Sequence, residues 1–201
     1  MTTTKIFVIL DRSGSMECCR SDTIGGFNSF VRQQKELKAD NAFLSFYQFD
    51  NDYSIIYENK KIEEVEPLTD ATFVPRGGTA LLDAIGRTVN GITANDGENV
   101  IVVIITDGEE NSSREFNKTT VNQLIGQKKE KGWEFIFLGA NQDAIKEAAV
   151  LGINSNSSLT YATEAAQEAF TSVSSAISRS RSTPMKNISF TPEERQKSMG
   201  K

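Results

Sequence analysis

An α/β domain built on a doubly wound, mainly parallel sheet is the fold class the chain predicts, and three observations carry that expectation. Short runs of four to six apolar residues alternate with longer stretches of helical period, as strands covered by helices on both faces require. The clearest runs, Ile6–Leu10, Val100–Ile105 and Phe135–Leu138, have no alternating polar face, so each predicts a strand buried on both sides. Phe43–Phe49 and Tyr53–Tyr57 flank the polar turn Asp50-Asn51-Asp52, which predicts a hairpin and hence an antiparallel strand at one sheet edge. Lys60 and Lys61 blunt that edge against pairing with another chain.

Helices are expected between these strands. Ile24, Phe27 and Val31 share one helical face, with Ser21 or Asp22 as the expected N-cap. Leu81, Ile85, Val89 and Ile92 share another face, and Val121, Leu124 and Ile125 mark a third helix that Lys131 and Gly132 end. Trp133 then begins a strand as a core or edge packing residue. Ala144–Leu151 makes a shorter helix, and apolar residues recurring from Ala162 through Ala166, Phe170 and Val173 to Ile177 predict a last core helix.

A chain of 201 residues fits one domain, large enough to bury roughly 70% of the surface its unfolded form exposes. The expected domain spans residues 1–180. Past Arg179 the composition shifts to Ser, Arg, Lys and Pro, so residues 181–201 read as a polar, solvated tail, and those after about Ser182 are expected to be removable with little loss of stability. Within it Thr191, Pro192 and Glu194 resemble a capping box that starts a short helix, and Phe190 and Met199 are its candidate anchors. Arg179, Arg181 and Lys186 read as solvated charges, with contact to an acidic partner as the alternative.

Composition removes several function classes. A net charge of -5 gives no electrostatic footprint for nucleic acid. With no histidine, neither a Ser-His-Asp nor a Cys-His nucleophile can be built. Asp11 and Arg12 end the first apolar run far short of a signal-peptide core or a membrane span, so a cytoplasmic protein that does not enter the membrane is expected. Cys18 and Cys19 are adjacent and bridge only with strain, so both are expected as free thiols.

Chemistry concentrates at three loops. Asp11-Arg12-Ser13-Gly14-Ser15-Met16 follows the first strand, Gly77-Gly78-Thr79 opens a helix, and Asp107-Gly108 follows the strand Val100–Ile105. In a doubly wound sheet such loops converge at the carboxyl ends of the central strands. They bring together carboxylates from Asp11 and Asp107 and hydroxyls from Ser13, Ser15 and Thr79, all hard oxygen donors suited to Mg²⁺ or Mn²⁺. Two carboxylates roughly balance the ion, and the neutral hydroxyls leave it electrophilic toward one more anion.

These residues resemble the metal-ion-dependent adhesion site (MIDAS) of the von Willebrand factor A (vWA) domains, whose pattern is Asp-x-Ser-x-Ser with a distant Thr and Asp. Asp11, Ser13, Ser15, Thr79 and Asp107 all match in residue type, over a likeness that runs from about Lys5 to Ser180, and the compact bacterial and phage members are the most similar. The resemblance implies a mainly parallel, Rossmann-like sheet with an antiparallel edge strand. It also implies a bound Mg²⁺ whose shell is completed by a partner's Glu or Asp, and a partner such as an AAA+ ATPase or a component of a stress or defence system.

Ordinary structural roles compete at each position: Asp11 and Ser13 as loop caps, Asp107 as a turn former and Thr79 as a helix N-cap. Asp83 reads either as support for the site or as an acid favoured by the helix dipole. Cys18 and Cys19 are soft ligands that match the hard site poorly and read as packing or exposed loop residues. The function expected is a metal-dependent protein-binding module and not an enzyme. The alternative is a metal-dependent phosphatase or nuclease, which would gather more carboxylates or place a second aspartate where Ser13 stands.

Overall fold

The computed structural model describes residues 3–140, 144–183 and 187–200. Its strands are β1 (Thr3–Asp11), β2 (Asn41–Phe49), β3 (Tyr53–Lys61), β4 (Asn99–Thr106), β5 (Glu134–Ala140) and β6 (Ser158–Tyr161). They form one sheet in the order β3-β2-β1-β4-β5-β6. β2 and β3 pair antiparallel across the Asp50–Asp52 turn, and the other neighbours pair parallel. The helices are α1 (Arg20–Glu36), α2 (Leu81–Gly91), α3 (Lys118–Glu130), α4 (Ala144–Val150), α5 (Ala166–Ser182) and α6 (Pro192–Ser198).

Because side chains alternate across a strand, the continuous apolar runs supply two cores at once. Ile6, Val8 and Leu10 of β1 and Ile101, Val103 and Ile105 of β4 pack with Phe27 and Phe30 of α1 and Phe170, Val173 and Ile177 of α5. Phe7, Ile9, Val102 and Ile104 point the other way, against Leu81, Ile85 and Val89 of α2 and Val121 and Ile125 of α3. The expected fold class is therefore the one observed.

Local signals account for some boundaries. α3 starts at a capping box between Asn117 and Thr120 and ends where Gly132, at φ +83°, lets its own N–H reach Lys129 O and Trp133 N–H reach Lys128 O. Trp133 is buried in the second core, as expected. α1 differs from expectation. A 3₁₀ turn over Gly14–Cys19 runs directly into Arg20, whose N–H finds Glu17 O, so Ser21 and Asp22 lie inside the first turn and cap nothing. The preceding turn supplies the acceptor that an N-cap side chain otherwise provides.

The segment past Arg179 also departs from the solvated-tail expectation. α5 continues to Ser182, and Arg181 is buried, ion-paired to Asp40 at 2.8 Å while donating to Gln34 O and Oε1. Ile188 and Phe190 join the first core. The Thr191–Glu194 capping box forms as expected and begins α6, whose Ser198 carbonyl accepts from Ala162 N–H. Arg195 donates to the carbonyls of Ser155, Asn156 and Ser158. Single apolar residues set among serines carry no periodicity, which is why composition read this segment as solvent-facing. Met199 stays exposed, Arg179 pairs with Glu194, and Lys186 lies outside the described residues. Cys18 and Cys19 are both free thiols, the first exposed and the second buried. No helix among the described residues is long and apolar enough to cross a membrane.

Candidate metal centre

The chain leaves β1 toward β2 on one side and leaves β4 toward β5 on the other, so the carboxyl ends of β1 and β4 form the switch point of the sheet. Asp11 is the last residue of β1, and Asp107 follows the last residue of β4. Asp11 is wholly buried; one carboxylate oxygen accepts Ser13 N–H at 2.6 Å and the other accepts the Thr106 hydroxyl at 2.6 Å. The first contact folds the loop back on itself and sets Ser13 and Ser15 side by side, with Oγ atoms 3.0 Å apart. Ser15 then donates to Asp107 at 2.6 Å.

Thr79 reaches the same place from the far side. A Cβ built on Gly108 would stand 2.8 Å from Thr79 Oγ1, 3.4 Å from Ser15 Oγ and 3.6 Å from Ser13 Oγ. Three hydroxyls from two distant loops thus surround one point that only glycine leaves open. Gly77, at φ +67°, turns the chain here, and its carbonyl accepts Gly14 N–H at 3.1 Å, tying the two loops together. The structure therefore brings together Asp11, Ser13, Ser15, Thr79 and Asp107.

Thr79 is not a helix cap. α2 begins at Leu81 after Ala80, and its free N–H groups are taken by Glu110, which accepts from Leu82, and by Ser113 Oγ, which accepts from Asp83. Asn111 Oδ1 holds Thr79 N–H at 2.9 Å, and Thr79 O accepts the N–H groups of Asn111 and Ser112. The Thr79 hydroxyl is left for the site. Asp83 serves the opposite end of this arrangement, accepting the N–H groups of Arg114, Glu115 and Phe116 at 2.8–2.9 Å and pinning the loop after β4 to α2.

Electrostatics separate the aspartates. Burial pushes the Asp11 carboxyl up to about 6, against the hydrogen bonds from Thr106 and Ser13, with a smaller upward push from Asp107. Burial raises Asp107 too. Among the described residues no Lys or Arg pairs with either. Asp50 is the contrast: its burial also acts upward, but Arg76 Nε at 2.7 Å and Arg12 Nε at 3.0 Å bring it below the ordinary carboxylate range. Two carboxylates without countercharge, set among three hydroxyls, fit a hard divalent cation; Mg²⁺ and Mn²⁺ take such oxygen ligands.

The sequence reading passed over Thr106, Asp50, Arg12, Glu110 and Asn111. In sequence Asp50 reads only as part of a turn, and Thr106 only as the residue that leads into Asp107-Gly108. The one available signal is position for Thr106, Asp50 and Arg12, which sit at the carboxyl end of a strand or just after it; Glu110 and Asn111 lie farther along the loop after β4.

A profile of the von Willebrand factor type A domain matches residues 5–179. No match is found among curated proteins. Solved structures that resemble the chain include proximal thread matrix protein 1 from the mussel byssus with a zinc-occupied MIDAS motif, at TM-score 0.66, 13% identity, 88% of this chain and 46% of that one. The ArnB paralog VWA2 from Sulfolobus acidocaldarius follows at TM-score 0.59, 18% identity, 88% of this chain and 45% of that one. The vWF domain of the type V pili tip protein Mfa5 from Porphyromonas gingivalis matches at TM-score 0.61, 10% identity, 89% of this chain and 96% of that one. The chain spans less than half the length of the mussel and archaeal proteins, and at these identities the likeness is one of fold. With the family profile covering nearly all of it, from Lys5 through Arg179, the chain belongs to the von Willebrand factor type A domain family.

Proposed function

We propose that Asp11, Ser13, Ser15, Thr79 and Asp107 hold one Mg²⁺ or Mn²⁺ and that this cation captures a Glu or Asp of a partner protein. The observation that carries the reading is the convergence of three hydroxyls and two unpaired carboxylates around Gly108. The carboxylates neutralise the ion without saturating it, because the other protein donors are neutral. A bound ion therefore supplies a Lewis-acidic position for one more carboxylate. The protein's own part is orientation: Asn111 and Glu110 hold the Thr79 turn, and Asp11 holds the serine loop. The domain acts as a binding module and not an enzyme. It works in the cytoplasm, where the exposed Cys18 thiol stays reduced, and its partner is an AAA+ ATPase or a stress or defence component.

The test is capture from lysate in Mg²⁺ and in EDTA, followed by titration of the recovered partner against wild type, Thr79→Ala and Thr79→Ser. Capture should need the ion, weaken by more than about tenfold with Thr79→Ala and be largely kept with Thr79→Ser. Since Thr79 caps no helix, the alanine variant should unfold at nearly the wild-type temperature. Equal affinity with and without chelator would sink the reading, as would phosphatase or nuclease activity lost in Asp107→Ala.

A further inference from the structure

The 3₁₀ turn that follows the serine loop presents both thiols of the protein to the same aspartate that the hydroxyls surround. Sγ of Cys18, Sγ of Cys19 and a carboxylate oxygen of Asp107 all lie within 4.8 Å of one another. Adjacent residues of a tight helical turn normally point apart, so this convergence is a property of the turn and of Asp107 together. We infer that Cys18, Cys19 and Asp107 form a second metal site, selective for a thiophilic d¹⁰ cation such as Zn²⁺, that competes with the hydroxyl site for Asp107.

The donor set fits that chemistry. Two sulfurs and one carboxylate oxygen are three protein ligands of the kind zinc takes, with the fourth tetrahedral position left to water or to another molecule. In a tetrahedral shell with bonds of about 2.3 Å, ligand atoms stand roughly 3.7 Å apart, so a small contraction completes the shell. Cys18 is exposed and can supply the movement, its thiol donating to Ser15 O at 3.2 Å. Cys19 is buried beside Met16 O and the Thr23 hydroxyl, which fix its direction. On binding, each thiol passes its proton to solvent and coordinates as thiolate, so two protons leave per ion. Hard Mg²⁺ has no use for sulfur, and a thiophilic ion gains little from serine hydroxyls; the two sites sort ions by softness.

Sharing of Asp107 couples the sites. Asp107 is held toward the hydroxyls by Ser15 Oγ at 2.6 Å, and Ser15 also supplies the carbonyl that holds the Cys18 thiol. A carboxylate oxygen drawn to a zinc ion on the thiols leaves the hydroxyl site with Asp11 as its one unshared acid. Zinc thus acts as an antagonist of the hydroxyl site's ion. Only this competition rests on the proposed Mg²⁺ site; the thiol site stands without it.

Cadmium titration tests the inference through the thiolate-to-cadmium charge-transfer band in the ultraviolet, with the intact chain kept in EDTA-washed buffer. Wild type should saturate at one ion per chain, with a band of two-thiolate intensity. Cys18→Ser and Cys19→Ser should each halve the band and weaken binding more than about tenfold, and Asp107→Asn should weaken binding while keeping the band. Thr79→Ala, which touches neither thiol, should bind cadmium as wild type does. Added Mg²⁺ should shift the wild-type curve to higher cadmium; a two-thiolate band that Mg²⁺ leaves unmoved still supports the thiol site and overturns the competition for Asp107. A band absent at one equivalent, a band unchanged by Cys18→Ser, or cadmium binding lost in Thr79→Ala would overturn the inference, the last by placing the soft ion among the hydroxyls.

Discussion

Asp11→Asn should make the metal-free protein more stable while abolishing its response to Mg²⁺. The Asp11 carboxyl has no solvent exposure, and burial raises its pKa to about 6 from an unfolded value near ~3.9. A carboxyl whose folded pKa is raised binds more protons folded than unfolded between those two values. Metal-free stability therefore falls as pH rises from ~4 to ~6, and above that the full cost is present. About two pKa units correspond to about 3 kcal/mol as an upper limit. Asparagine removes the charge and keeps the contacts: its oxygen accepts Ser13 N–H, and its amide donates to Thr106 Oγ1, whose hydroxyl can turn to Gly108 O at 3.1 Å. For a domain of this size a gain of about 3 kcal/mol raises the melting temperature by roughly 6–12 °C. Urea and thermal unfolding in EDTA should show the variant ahead near pH ~7.5 and level with wild type near pH ~4. Saturating Mg²⁺ should then stabilise wild type alone. If the variant is less stable in EDTA near pH ~7.5, or its margin is the same at both pH values, the buried charge is not the cost assigned to it.

Asp83→Ala should free the loop after β4, because three N–H groups lose their acceptor; a loss of ~1–3 kcal/mol and faster amide exchange at Arg114, Glu115 and Phe116 are expected. The Asp83 carboxyl is lowered, burial being outweighed by those N–H groups, so its contribution is present above the unfolded pKa of ~3.9 and is lost as pH falls below that value; wild type and variant should converge in acid unfolding. Removal of residues 184–201 should cost several kcal/mol, since Ile188 and Phe190 each bury a large apolar side chain worth ~1.5–3 kcal/mol; an unchanged urea midpoint would mean the segment docks without stabilising. Alkylation of the native, metal-free protein should modify Cys18 rapidly and Cys19 only on unfolding, because burial pushes the Cys19 thiol up to about 12; equal rates by mass spectrometry would contradict the buried position.

What the sequence made legible follows the range of the interaction. The double apolar strands announce themselves because each run satisfies two cores. The serine loop does so because Asp11, Ser13 and Ser15 lie within five consecutive residues. Gly-Gly before Thr79 and Gly after Asp107 mark the other two loops, and the structure gives the reason: Gly108 leaves room for three hydroxyls, and Gly77 turns the chain. What stayed hidden depends on partners distant in sequence. Glu110 caps α2 from 28 positions away, and Arg181 finds Asp40 from 141 positions away, with no local pattern at either end. β6 is four residues long and too short to show a period. Ile188 and Phe190 are isolated apolar residues, recognisable as anchors only once the face they cover exists.

The four aspartates around the switch point show how a site can be told from its scaffold by charge balance alone. Asp50 and Asp83 are buried, but each has its charge answered, the first by two arginines and the second by three backbone N–H groups, and each carboxyl ends below its ordinary range. Such groups hold the fold and gain nothing from a metal ion. Asp11 and Asp107 have hydrogen-bond donors but no cation, and both carboxyls end above the ordinary range. A fold selected for stability alone would neutralise or replace Asp11, since a buried unpaired charge is costly. The raised state of the two carboxyls is what a bound cation would relieve at neutral pH, and strongly shifted groups of this kind gather where a protein acts. Hydroxyls complete the argument. Ser13, Ser15 and Thr79 crowd one point beside Gly108, with Ser15 Oγ 3.0 Å from Ser13 Oγ and donating to Asp107, and a divalent ion at that end of the sheet would serve all five groups at once.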